Sequence, residues 1–362
     1  MARGKSKTVT DVIYDDVVRI TKPPAGPDGG QLTDAVSIGD VARMAGVAPI
    51  TVSRALSKPH KVSADKRSRI QQAVEATGYR VNPFASALRS GRSNVVMAFA
   101  SNMFSEQYSL ALHACGNILE KAGYLFLVGQ TAYSYDRETA AIRSLQALKP
   151  AAVMFTGVIE LEENRETLKN LGIPIMETWA LPQDPIDMLV GFSNTEAGLL
   201  AATELAEKGH RRVAYIGRRG GRGALRLQGF KEGCQKFGLE LVGVALGGDI
   251  VVPSDGAACL TRLMAECPDV EAIFCANDLL AFGCLAEARR QHIAVPERLA
   301  MIGFGDSEIA AEIPPGLTMI GIDTQLLGRI AGEMILDSLS DGEKMAERTR
   351  RLPLRVIRRG SL

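Results

Sequence analysis

Ser37-Ile38-Gly39-Asp40-Val41-Ala42-Arg43-Met44-Ala45-Gly46-Val47-Ala48-Pro49-Ile50-Thr51-Val52-Ser53-Arg54-Ala55-Leu56 decides the architecture of the N-terminal part of the chain. Ser37 is a capping residue, Ile38, Val41, Ala42 and Ala45 recur at i, i+3, i+4 and i+7, and Gly46 is the residue type that ends a helix in the left-handed region. Pro49 is favoured in a first helical turn, so the spacing predicts a second short helix from Pro49 through Leu56. Ser63 then caps a third helix, with Ile70 and Val74 on its apolar side and Gly78 at its end. Two short helices joined by Gly46-Val47-Ala48, with a third behind them, form a helix-turn-helix pattern. In it Val52, Ala55 and Leu56 turn to the core, while Thr51, Ser53 and Arg54 can hydrogen-bond to base edges or phosphates. Residues 37–92 hold ten Lys and Arg against three acidic residues. Lys58, Lys61, Lys66, Arg67 and Arg69 are placed to neutralise phosphates, a term that depends steeply on salt and carries no sequence information.

The rest of the 362-residue chain reads differently. A length above about 300 residues calls for two or three domains. The net charge of +1 hides a basic head joined to a mildly acidic body, and 46% hydrophobic against 23% charged residues excludes global disorder. Apolar runs such as Val95–Ala100 and Tyr124–Gly129 are far short of a membrane span, and the N-terminus has no apolar signal core. These features place the chain in the cytoplasm. Residues 1–36 balance five basic and five acidic side chains around Lys22-Pro23-Pro24-Ala25-Gly26-Pro27-Asp28-Gly29-Gly30 and read as a flexible tail. The six cysteines, at 115, 234, 259, 267, 275 and 284, lack zinc-ligand spacing and read as buried free thiols. After Arg92, apolar strand-like runs alternate with amphipathic stretches, the mark of parallel sheets with crossover helices. Ten candidate strands predict two sheets: Val95–Ala100, Tyr124–Gly129, Ala152–Thr156, Pro174–Glu177, Met188–Phe192, Val213–Gly217, Leu241–Gly247, Ala272–Cys275, Met301–Phe304 and Met319–Ile322.

Ile38-Gly39-Asp40-Val41-Ala42, Ala45-Gly46-Val47 and Thr51-Val52-Ser53-Arg54-Ala55-Leu56 resemble the head of the lactose/galactose repressor (LacI/GalR) family, and so do Val62-Ser63, Gly78-Tyr79, Asn82-Pro83 and Ala85-x-x-Leu88-Arg89 at their spacing. The resemblance runs from about Ile38 to the C-terminus. It implies an all-α helix-turn-helix head with a hinge helix, followed by a periplasmic-binding-protein-like α/β core of two doubly wound lobes. The expected divisions are a tail at 1–36, the DNA-binding domain at 37–81, a hinge helix and linker at 82–92, and an effector-binding and dimerisation domain at 93–362. Lobe 1 covers about 93–193 and 323–340, and lobe 2 about 194–322 and 341–362. The family's base contacts carry over to Pro49, Ile50 and Arg54, beside Thr51 and Ser53. Pro49 and Ile50 are apolar and suit thymine methyl groups rather than hydrogen bonds. Asn82–Arg89 corresponds to the family's hinge helix, whose leucine, here Leu88, wedges into the minor groove.

Ligands in open α/β sheets bind beyond the carboxyl ends of strands, so polar residues that follow strands are the effector-binding candidates. Ser101, Ser105, Gln107 and Tyr108 follow the first strand, Gln130 the second, Glu177 and Trp179 the fourth, and Asn194 the fifth. The second lobe offers Arg222, Arg226, Asn277, Asp278, Phe304 and Asp306. Arg226-Leu227-Gln228-Gly229-Phe230 resembles the family stretch whose arginine clamps a sugar hydroxyl or carboxylate, and Ala276-Asn277-Asp278 matches its Asn-Asp motif. Singly, either residue is as readily an ion pair or a helix cap. Trp179 is equally suited to stacking on a sugar ring or filling the hinge between lobes, and Glu177 repels an acidic ligand unless it is protonated or paired. Pro174-Ile175-Met176-Glu177 with Gly191-Phe192-Ser193-Asn194 resembles the gluconate-type branch, which implies gluconate, 2-ketogluconate or a related aldonate. A neutral sugar or a purine stays open.

No serine or cysteine is paired with a base, no metal or cofactor motif stands out, and Gly217-Arg218-Arg219-Gly220-Gly221-Arg222-Gly223 lacks the order of a phosphate loop, so it reads as a flexible ligand-side loop. A non-enzymatic, effector-controlled repressor is expected, without cofactor or metal, binding a pseudo-palindromic operator as a homodimer. The segment Leu352–Arg358 is followed by no heptad helix, which favours a dimer over a tetramer. The rival is a solute-binding protein for transport, which shares the body but not the basic head.

Overall fold

The computed structural model describes residues 36–57, 59–79, 93–247, 252–305, 307–340 and 347–362. The expected tail, the hinge with Asn82, Leu88 and Arg89, and Asp306 lie outside the described residues. The chain divides into two compact units, residues 1–81 and 82–362.

The first unit is a three-helix head, α1 (Ile38–Ala45), α2 (Pro49–Ser57) and α3 (Ala64–Thr77). At the start of α1, Ser37 and Asp40 form a reciprocal capping box. The Asp40 amide donates to the Ser37 hydroxyl at 3.3 Å, and Ser37's amide and hydroxyl both donate to the Asp40 carboxylate. These bonds hold the Asp40 carboxyl below the usual carboxylate range. Gly46 closes the helix at φ 64°, a conformation that costs glycine nothing and other residues 1–2 kcal/mol or so. Val41, Ala42, Ala45, Val52, Ile70 and Ala73 form the head's core.

The second unit holds two parallel-sheet lobes. Lobe 1 contains β1 (Val95–Ala100), α4 (Glu106–Lys121), β2 (Leu125–Gln130), α5 (Tyr135–Leu148), β3 (Ala152–Phe155), α6 (Glu162–Lys169), β4 (Ile175–Thr178) and β5 (Met188–Gly191). Lobe 2 contains α7 (Asn194–Glu207), β6 (Arg212–Arg218), α8 (Gly221–Phe237), β7 (Glu240–Gly247), α9 (Pro253–Glu266), β8 (Ala272–Cys275), α10 (Asp278–Arg290), β9 (Ala300–Phe304), α11 (Glu308–Glu312) and β10 (Thr318–Gly321). Helix α12 (Thr324–Leu339) then packs on α4, and β11 (Thr349–Arg351) and β12 (Arg355–Ile357) end the chain. The sheet orders are β11-β5-β4-β3-β1-β2 and β12-β10-β9-β8-β6-β7. Strands β3, β4, β5, β8, β9 and β10 are buried along their whole length, as parallel strands covered on both faces must be.

Two strands escaped the sequence pattern, and one corrects the expected division of lobes. Thr349–Arg351 pairs in parallel with Met188–Gly191, so part of the 341–362 stretch assigned to lobe 2 belongs to the sheet of lobe 1. Arg355–Ile357 pairs antiparallel to β10 in lobe 2. Both strands are three residues long and lie at sheet edges, and the first, Thr-Arg-Arg, is wholly exposed, so neither shows an apolar run. The chain therefore passes between lobes at 192–193, at 322–323 and at 352–354.

Helices α7 and α8 touch backbone to backbone beneath the cleft. A Cβ on Gly229 would sit 1.8 Å from the Thr195 carbonyl oxygen, so only glycine lets α8 approach this closely. That contact fixes the Arg226-Leu227-Gln228-Gly229-Phe230 stretch against the start of α7.

Candidate functional site

In the head, α2 presents a polar and apolar outer face over a buried anchor. Val52 is fully buried, Ile50 is 61% exposed, and Pro49 and Arg54 are exposed, with Thr51 and Ser53 half-buried between them. The helix thus offers an apolar pair at its first turn and a guanidinium further along, held by a core that leaves that surface open. Lys61, Lys66 and Arg67 are exposed, whereas Arg69 pairs with Asp65 at 3.3 Å.

In the body, the ends of the parallel strands of both lobes face each other across a cleft. At its inner end the candidate residues bond to one another. The Ser105 hydroxyl, at the start of α4 in lobe 1, donates to the Asp278 carboxylate of lobe 2 at 2.9 Å, and the other Asp278 oxygen accepts the Leu279 amide. Burial pushes the Asp278 carboxyl up to about 6, against the pull of these bonds. Trp179 is fully buried, packs on Tyr108 with ring centroids 4.8 Å apart, and donates its indole N–H to Gln107 at 3.4 Å. Its backbone sits at φ 64°, and its carbonyl accepts the Asn194 amide at 3.0 Å. Asn194 in turn accepts from Arg226 Nε at 2.9 Å, and Arg226 Nη1 donates to the Ala276 carbonyl. The Arg226 guanidinium lies 3.8 Å from the centroid of the Phe304 ring, and burial lowers its pKa to about 10. One turn earlier on α8, Arg222 reaches across to lobe 1, donating to the Thr156 carbonyl at 3.0 Å and the Ser101 hydroxyl at 3.3 Å. The space left among Gln107, Tyr108, Arg222, Arg226 and Asn277 is about 30 Å³.

Outside this lies a chamber of about 670 Å³. Lobe 1 contributes Phe99 and Phe155, stacked 5.4 Å apart, the loop from Thr131 to the first turn of α5, and the loop from Thr156 to Glu160. Lobe 2 contributes the turn from Arg218 to Arg222. Arg218 lies 4.1 Å from the centroid of the Tyr133 ring. Glu160 accepts the Tyr135 hydroxyl, and Glu138 accepts the Asn164 amide at 3.0 Å. Burial is the main cause that raises Glu138 to about 7, and the charges of Glu160 and Glu177 add to it.

The expected candidates separate accordingly. Ser101, Gln107, Tyr108, Arg222, Arg226 and Asn277 border the cleft cavities, and Ser105, Trp179, Asn194, Asp278 and Phe304 are bonded or packed directly behind them. Gln130 is exposed at the end of β2 and borders neither cavity. Glu177 faces no ligand space: its two oxygens accept the Ile159 and Ile186 amides at 2.9 and 2.7 Å, while burial raises its pKa. Trp179 fills the hinge side of the cleft instead of standing open to a sugar ring. The glycine-rich segment expected to be a flexible loop is a tight entry into α8, with Arg218 still in β6 and Gly220 at φ 69°. Tyr133, Glu138, Thr156 and Glu160 were not anticipated, and Arg218 and Arg219 only as part of the ligand-side segment. The rule that found Gln130 would have reached Tyr133 three residues later, and applied to β3 and β6 it selects Thr156 and Arg218.

Residues 37–82 match the model of the lacI family of bacterial regulatory proteins, and residues 202–362 match that of the periplasmic binding protein-like domain. Over 322 residues the chain is 34% identical to the HTH-type transcriptional regulator GntR of Pseudomonas aeruginosa, covering 86% of this chain and 91% of that protein. The chain belongs to the LacI family of bacterial regulatory proteins. As a LacI-family protein it is a DNA-binding transcriptional repressor with a ligand-binding domain. A LacI-family transcriptional regulator from Silicibacter pomeroyi, 27% identical, superposes with a TM-score of 0.82 over 90% of this chain and 99% of its own. The transcription regulator GntR of Chromobacterium violaceum, 30% identical, superposes with a TM-score of 0.69 over 74% of this chain and 98% of its own. Among the described residues of this LacI-family chain, no helix is long and apolar enough to cross a membrane.

Proposed function

We propose that this LacI-family chain acts in the cytoplasm as a homodimer that binds a pseudo-palindromic operator and releases it when a sugar acid, such as gluconate or 2-ketogluconate, enters the cleft. The observation that carries the reading is a cleft whose polar walls come from both lobes, so that a ligand bound there has different contacts in the open and closed arrangements. Differential affinity of this kind is what lets a small molecule shift a conformational equilibrium. In the head at 37–81, Pro49, Ile50, Thr51, Ser53 and Arg54 read the bases. The segment at 82–92 folds as a hinge with Leu88 in the minor groove, flanked by Asn82 and Arg89. The body at 93–362 senses the effector. A dimer follows from the small site a single head reads, which two-fold symmetry doubles. The sugar-acid assignment is supported by the likeness of 174–177 and 191–194 to the gluconate-type branch and by the GntR name of the Pseudomonas aeruginosa relative.

The test is binding of the purified full chain to a genomic library of short duplexes at two salt concentrations, with and without gluconate and 2-ketogluconate. A palindromic site released by one acid is the expected result. Only sequence-blind, salt-sensitive binding would overturn the operator reading, and specific binding indifferent to both acids would overturn the effector.

A further inference from the structure

We infer that Arg165 and Glu177 form a buried clamp that fixes the loop at 156–160, the chamber wall between β3 and α6, and thereby sets the affinity of the cleft for its effector. The inference rests on the reading above that a sugar acid enters the cleft. Both are positioning residues, which act through the loop and do not touch the ligand.

Both side chains are buried, and neither is among the residues that border the chamber. Their bonds go to the backbone of two separate segments. Glu177, on β4, accepts the Ile159 amide at 2.9 Å with one oxygen and the Ile186 amide at 2.7 Å with the other. Arg165, on α6, donates to the Ile159 carbonyl at 3.2 Å and to both the carbonyl and the carboxylate of Asp184, and its Nε lies 3.3 Å from Glu162. Ile159 is thus held at its N–H by a carboxylate and at its C=O by a guanidinium, and the same two side chains hold the segment at 184–186 that leads into β5. Taking these charges out of water is costly, and apolar side chains of similar volume commonly give equal or greater stability. Stability alone therefore does not account for the pair. Charge-assisted bonds of fixed geometry give in addition one defined position to the backbone they hold.

That position matters at the cleft, because every residue from Thr156 to Glu160 borders the chamber. At the start of the loop, the Thr156 carbonyl accepts from Arg222 of lobe 2 at 3.0 Å and from the Ser101 hydroxyl at 2.7 Å. The Gly157 carbonyl accepts the amide of Thr178, the neighbour of Glu177, at 3.1 Å. At the end of the loop, Glu160 accepts the Tyr135 hydroxyl and stands close to lobe 2 at Gly221, where a Cβ would come within 3.3 Å of its carboxylate. The loop therefore carries part of the contact between lobes as well as part of the chamber wall. A shift of about 1 Å at Ile159 moves groups that face both the chamber and lobe 2, the kind of looseness that an unsupported binding site suffers. Asn164, the neighbour of Arg165, donates to Glu138 in the first turn of α5, so the start of α6 braces two chamber segments at once.

Calorimetric titration of the full chain with gluconate and 2-ketogluconate, together with hydrogen exchange in the peptides covering 156–160 and 184–187, tests this. Glu177→Gln keeps the volume of the side chain, but its oxygen accepts one amide while its NH2 group opposes the other. Arg165→Met keeps the length without the donors, and Arg165→Lys restores the charge without the fork. Leu145→Ala on α5, in the apolar cluster that also holds Ile159, lowers stability and leaves the clamp intact. Assayed below the onset of unfolding, Glu177→Gln and Arg165→Met are expected to bind the acid at least about tenfold more weakly than the native chain. Both peptides should exchange at least about fivefold faster in these variants, as befits the loss of buried bonds. Arg165→Lys should fall between Arg165→Met and native, and Leu145→Ala should bind within twofold of native. If Arg165→Met does not fold, Glu177→Gln carries the test alone. Binding within twofold of native by the clamp variants, an equal loss in Leu145→Ala, or weaker binding without faster exchange overturns the inference. If neither acid binds the native chain, the sugar-acid reading falls and exchange alone decides the clamp: faster exchange confined to the clamp variants supports it, and unchanged exchange overturns it.

Discussion

The inner end of the cleft and its outer chamber are built on the ends of the same parallel strands, yet their polar groups behave differently. At the inner end Ser105 holds Asp278, Trp179 holds Gln107, and Arg226 holds Asn194 and the Ala276 carbonyl. In the chamber, Arg219 is exposed at the rim. The physical reason is desolvation. A charge taken out of water has to be satisfied by the protein whether or not a ligand is present, whereas a charge left in water waits at no cost. Polar residues that converge on a cleft are thus of two kinds, those that build its wall and those that meet what enters, and hydrogen-bond accounting separates them.

The largest effect expected from this contrast is at Arg226. Arg226→Met keeps the bulk but leaves the Asn194 oxygen and the Ala276 carbonyl without donors in a buried setting. Each orphaned acceptor costs about 1–3 kcal/mol, so the body should lose about 3 kcal/mol in urea unfolding. Arg219→Met, at the exposed rim, should stay within about 0.5 kcal/mol of native. Similar losses from the two substitutions would erase the distinction between wall and chamber.

Much of the fold is legible in the sequence because its signals are local. Ser37, Gly46, Ser63 and Gly78 mark the ends of the head's helices, and buried strands such as Ala152–Phe155 and Ala272–Cys275 appear as unbroken apolar runs. The edge strand Thr349–Arg351 has no such run, since its exposed side chains leave backbone pairing as its only signature. In the cleft, residue type and strand-end position select the right neighbourhood but cannot tell which partner a polar group takes. Glu177 and Trp179 face inward because the Ile159 and Ile186 amides, and Gln107, are brought to them by the fold from outside their own strand. Arg222 and Arg226 look equivalent as residues one turn apart, and only the fold brings Asn194, the Ala276 carbonyl and Phe304 around Arg226 while Arg222 stays half-buried.

The next effect is smaller and depends on pH. Burial raises the Asp278 carboxyl to about 6, above its unfolded value near 3.9, so the folded state favours the protonated form. Its contribution to stability is fully present below about pH 4 and is lost as pH rises through 6, a difference of about 2–3 kcal/mol. Asp278→Asn does not titrate; its oxygen can accept the Leu279 amide and its amide N–H can donate to the Ser105 oxygen, reversing the native bond. Denaturation at several pH values should show the variant gaining on the native chain between pH 4 and 7. A constant difference across that range would mean that the inner end is wetter than its bonds indicate.

The smallest effect tests the chamber. Burial, opposed by the Asn164 bond and reinforced by Glu160 and Glu177, raises Glu138 to about 7, so its protonated form too is favoured on folding. The sign is therefore the same as for Asp278: stability present at acid pH is lost as pH rises from about 4.5 through 7. Solvent reaches Glu138 from the chamber, and screening should make the effect smaller than that at Asp278. Glu138→Gln retains an oxygen to accept from Asn164 and removes the titration, so the variant should gain slightly on the native chain between pH 5 and 8. A pH-dependent difference as large as that of Asp278→Asn would mean that the chamber is as dry as the inner end, and charges waiting there for a ligand would carry the same penalty as those built into the wall.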